Sequence, residues 1–100
     1  MAEVVTYKNN ASRGVYSQLK LSNNDKVFIS IAMRGVTISK LNFLNFPSTT
    51  IWRSANIDDA MQKFMGDVHA NPFGLLDAAI RYITNCNSLD EVSAVLNKNS

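Results

Sequence analysis

The sequence predicts an α+β fold: an antiparallel sheet of three to four N-terminal strands covered on one face by two to three C-terminal helices. Three observations carry that expectation. Apolar residues recur at every second position through much of the first half and at helical spacing through the second. Strands therefore precede helices instead of alternating with them, which argues against a parallel sheet. The chain has 100 residues, 46% hydrophobic and 18% charged, which supplies one core and is too apolar for a disordered tail. One domain over residues 1–100 is expected.

Val15, Leu19 and Leu21 share one face of a first strand, with Tyr16, Gln18 and Lys20 on the other. The cluster Ser22-Asn23-Asn24-Asp25 reads as a turn, because Asn and Asp side chains bond nearby backbone and tolerate left-handed conformations. From Lys26 to Met33, Val27, Ile29, Ile31 and Met33 point one way, and Phe28, Ser30 and Ala32 the other. A two-residue loop at Arg34-Gly35 would pair Met33 with Val36 and Ile31 with Ile38. Residues 42–48 read as irregular, since Pro47 cannot donate to a central ladder, and Thr49 to Arg53 read as a short fourth strand.

Asn56 is placed to cap a helix whose first turn carries Asp58 and Asp59. Ile57, Ala60, Met61, Phe64, Met65 and Val68 then form an amphipathic stripe. Asn71-Pro72 interrupts it and can open a second helix, with Leu75, Leu76, Ala79, Ile80 and Ile83 on its apolar face. Ser88-Leu89-Asp90-Glu91 matches a capping box: the serine hydroxyl accepts from the third helical amide while Glu91 reaches back. Leu89, Val92, Val95 and Leu96 follow at helical spacing. Arg-Gly-Val occurs at 13–15 and again at 34–36, but the residues after it do not match, so no repeat is expected.

The residues exclude more chemistry than they support. His69 is the only histidine, and it does not share a helix face with Asp67, so no metal site is expected. Cys86 lies near a helix C-terminus, where the dipole opposes thiolate formation. The acid pairs Asp58/Asp59 and Asp90/Glu91 are explained by helix first turns. The four glycines are scattered, so no phosphate-cradling loop is present. The expectation is a non-enzymatic protein with no catalytic residues, no cofactor and no metal. A single cysteine fits a reducing compartment. No apolar run approaches the roughly 20 residues of a membrane span, and no signal peptide is visible. A cytoplasmic protein without a membrane partner is expected.

Two binding readings follow. Phe43, Leu44, Phe46, Ile51 and Trp52 crowd into ten positions around Pro47, more than a small core readily absorbs. Phe43, Phe46, Ile51 and Trp52 are therefore candidate protein contacts, and a homo-oligomer or another protein is the expected partner. The alternative is single-stranded nucleic acid. Residues 1–55 carry a net charge of +5 against −3 for the remainder. Tyr16 and Phe28 could stack bases while Lys20, Lys26 and Arg34 track phosphates. The bases are spaced singly and no RNA-recognition signature is present, so nucleic acid is not favoured.

Overall fold

A computed structural model describes residues 3–10, 14–32, 35–64 and 72–98, with side chains for 14–32, 35–64 and 74–98. Five strands come first: β1 (Glu3–Asn10), β2 (Gly14–Lys20), β3 (Lys26–Ala32), β4 (Gly35–Leu41) and β5 (Pro47–Ser54). Three helices follow: α1 (Ile57–Phe64), α2 (Pro72–Ile83) and α3 (Leu89–Asn97). The strands form one antiparallel sheet in the order β1-β2-β3-β4-β5. The expected α+β architecture is present, with β1 as a strand the sequence pattern did not reveal. Glu3 to Asn10 does not alternate, and the β1–β2 register shifts between Val4 and Thr6. A bulge of this kind inserts one residue and breaks the period of two.

The alternation in β2 and β3 is realised as read. Val15 and Leu19, with Val27, Ile29 and Ile31, are buried on one face. Tyr16, Gln18 and Lys20, with Lys26, Phe28 and Ser30, lie partly exposed on the other. Helix α2 packs on β2 and β3, α1 on β4 and β5, and α3 on β5. One apolar cluster joins the sheet face to Ala60, Phe64, Leu75, Leu76, Ala79, Ile83, Val92 and Leu96. The stripes read from helical spacing are thus the faces that cover the sheet. Met65, Val68, His69 and Asn71 lie outside the described residues.

The β3–β4 register needs one correction. Ile31 pairs with Val36, Ile29 with Ile38 and Ala32 with Gly35, not Met33 with Val36. A two-residue shift preserves which face each side chain occupies, so the core is unchanged. The shift draws Gly35 into the strand at φ +121°, where a β-carbon would overlap the carbonyl oxygen of Ser54. Gly14 occupies the matching place at the start of β2, with φ +95° and the carbonyl of Ile31 against it. Gly14 and Gly35 therefore share a structural role: each opens a strand pressed against the next strand's end.

Candidate interaction site

The resemblance between the two segments continues to the turns that follow them. After β2, the Leu21 amide donates to the Asp25 carbonyl (2.8 Å), and the Asn24 amide to the Leu21 carbonyl (2.9 Å). After β4, Asn42 donates to Phe46 (3.0 Å) and Asn45 to Asn42 (2.9 Å). The fourth residue of each turn is left-handed, Asn24 at φ 74° and Asn45 at φ 65°. Leu21 to Asp25 and Asn42 to Phe46 thus form the same turn, 21 residues apart, as Gly14 and Gly35 are. The turns lie side by side, and Lys26 Nζ donates to Asn45 Oδ1 at 3.1 Å.

Apart from the asparagine shared at the fourth position, their side chains differ. The first turn carries Ser22, Asn23 and Asp25, whereas the second carries Phe43, Leu44 and Phe46 at the same positions. Phe43 is 91% exposed, Leu44 59% and Phe46 63%. The first turn shows that polar residues satisfy this backbone, so the turn's geometry does not call for apolar ones. Neither does the core, which they do not enter. The tip is also held firmly: Asn42 Oδ1 accepts from the amides of Leu44 (2.9 Å) and Phe46 (3.0 Å). A fixed apolar tip loses little conformational freedom on docking.

The other two candidates of that segment go elsewhere. Ile51 and Trp52 lie on β5, partly buried against the core. The Trp52 ring meets Phe64 edge-on at 5.3 Å, Phe64 meets Tyr82 at 5.1 Å, and Lys63 Nζ lies over Trp52 at 5.4 Å. Trp52 thus closes one end of the core beneath a lysine. The apolar segment divides at Pro47 into an exposed tip and a strand whose distal end is built into the core. Sequence crowding alone did not separate the two.

A hollow of about 170 Å³ opens beside the tip, between the two turns and the start of α3. Leu41, Phe43 and Leu89 line it together with Asp25, Lys26 and Asn45. On the sheet face opposite the helices, Tyr16 and Phe28 form a tilted ring pair with centroids 5.5 Å apart. Lys20 and Lys26 stand directly opposite each other in the β2–β3 register. Arg34 lies outside the described residues.

The chain matches no protein-family model, no curated protein and no solved structure. Among the described residues no His, Cys, Asp or Glu side chains group as metal ligands, and no helix is long and apolar enough to cross a membrane. The acid pairs sit where helix starts place them: Asn56 Oδ1 accepts from the amides of Asp58 (2.9 Å) and Asp59 (3.3 Å). Ser88 Oγ accepts from the Glu91 amide (3.3 Å), while the Glu91 carboxylate reaches past it to the Asn87 amide (2.8 Å). Cys86 is buried, and desolvation, helped by the charge of Glu91, raises its thiol pKa above the ordinary value of 9.0.

Proposed function

We propose that this chain is a small, non-enzymatic, cytoplasmic protein-interaction module that self-associates through the Phe43–Phe46 tip. The observation that carries the reading is the pair of matching turns, of which only one bears large, exposed apolar side chains. Exposed apolar patches held on a defined backbone are how soluble proteins dock on partners. The first turn also supplies the test. Phe43→Ser, Leu44→Asn and Phe46→Asp together give the second turn the residues of the first, with Asn45 already matching Asn24. Sedimentation equilibrium from low micromolar to submillimolar concentration should show wild-type association that this triple variant loses. Its thermal transition should stay within a few degrees of wild type. A wild type that remains monomeric throughout would overturn self-association.

A second reading has its own observation, the Tyr16–Phe28 ring pair beside Lys20 and Lys26 on the sheet face away from the helices. Single-stranded nucleic acid would stack on the rings and pair its phosphates with the lysines. Fluorescence anisotropy of a labelled oligonucleotide should then show binding that weakens steeply with salt and disappears in Lys20→Glu/Lys26→Glu. Absence of binding at low salt removes this reading.

A further inference from the structure

We infer that the tip is occupied by a second copy of this chain in a reciprocal, two-fold arrangement. Phe43 of each copy seats in the hollow between the two turns of the other. The inference rests on the self-association reading and assigns its geometry.

Projection and recess lie side by side. Phe43 stands at the rim of the 170 Å³ hollow, which is open and mainly polar around Leu41 and Leu89; in volume it matches the cavity of about 150 Å³ that admits a benzene-sized ring. A two-fold axis beside that rim carries each ring into the other copy's hollow, because an isologous contact places the same patch on both sides. The charges of the hollow fit the same operation. Asp25 and Lys26 are adjacent and line it together, and in this arrangement Lys26 of one copy exchanges its Asn45 partner for Asp25 of the other, twice. Two phenylalanines and a leucine from each copy cover in total about 1,000 Å², at the low end of specific interfaces. The resulting dimer is weak and concentration-dependent.

The charge pair gives a test that a non-reciprocal contact would fail. Lys26→Glu and Asp25→Lys each set like charges against one another, and each variant alone should self-associate about tenfold more weakly than wild type. Mixed in equal amounts, they restore both opposite-charge contacts, so hetero-association should return to near wild-type strength. Thermal transitions of each variant check that the fold is retained. Phe43→Ser should abolish association in every background. Suppose wild type associates, Phe43→Ser abolishes it, and the mixture stays dissociated. The reciprocal geometry is then overturned, while the tip remains the contact. A monomeric wild type that cosediments with phosphatidylcholine–phosphatidylglycerol vesicles, dependent on Phe43, assigns the tip to a lipid surface and overturns the second copy. A monomeric wild type without vesicle binding overturns both this inference and the self-association beneath it.

Discussion

Gly14 and Gly35 show how much a single missing β-carbon can decide. Both have positive φ, and both press against a neighbouring strand's carbonyl. Alanine at either place meets an unfavourable backbone conformation and a steric overlap together, so Gly35→Ala should destabilise the chain by at least about 2 kcal/mol in urea unfolding. The sequence showed a glycine beside a turn but not the strand packed against it, because Ser54 lies 19 residues away in the chain. Cys86 gives a pH-dependent counterpart. Its thiol pKa is raised in the folded state above the ordinary 9.0, so well below pH 9.0 both folded and unfolded forms hold the proton. As pH rises through that value the unfolded thiol ionises first, the unfolded state binds fewer protons, and stability falls. Cys86→Ala should lose less stability than wild type between pH 8 and pH 10, as measured by urea midpoints at each pH.

At the scale of elements, the helices are fixed by short polar signals and the strands by their partners. Asn56→Ala removes the acceptor for two amides at the start of α1, and Ser88→Ala removes that of the Glu91 amide at the start of α3. Each should cost about 1 kcal/mol, read from the denaturant midpoint at constant slope. Phe64→Ala removes the ring that meets Trp52 and Tyr82 edge-on and should cost about 3–5 kcal/mol. These helix features were legible because a cap and a stripe are local and occupy a few adjacent residues. β1 was not, since the bulge at Val5 scrambles the alternation that marks a strand. The tip was half legible. Its residues stood out by crowding, but only the folded chain shows that Ile51 and Trp52 pack against the core, with Trp52 on Phe64 of α1, while Phe43 and Phe46 stay outside.

For the whole molecule, the described residues share one core, on one face of the sheet. The chain's extents of 33 × 31 × 21 Å reflect that two-layer build, a sheet on one side and helices on the other. The central strands are paired on both edges and covered by α2 over β2 and β3 and by α1 over β4, so amide exchange should be slowest in β2, β3 and β4. Ser48 to Thr50, exposed on the edge strand β5, should exchange orders of magnitude faster under native conditions. A reversed order would show that the edge strand, and not the centre of the sheet, is the most protected. The fold class was legible at this scale because strand and helix periodicities occupy separate halves of the chain. How the halves meet was not, because it depends on contacts between residues far apart in sequence.

The strand order has a consequence for a chain being made from its N-terminus. Every strand pairs with the one just synthesised, so the sheet can assemble hairpin by hairpin as it emerges, each step closing only a short loop. Its greasy side has no cover during that time. Val27, Ile29, Ile31 and Ile38 wait for Leu75, Leu76, Ile83 and Leu96, tens of residues later. A nascent chain stalled after Ser54 would therefore present a finished sheet with a bare apolar face, the species most apt to stick to its neighbours before the last helix arrives.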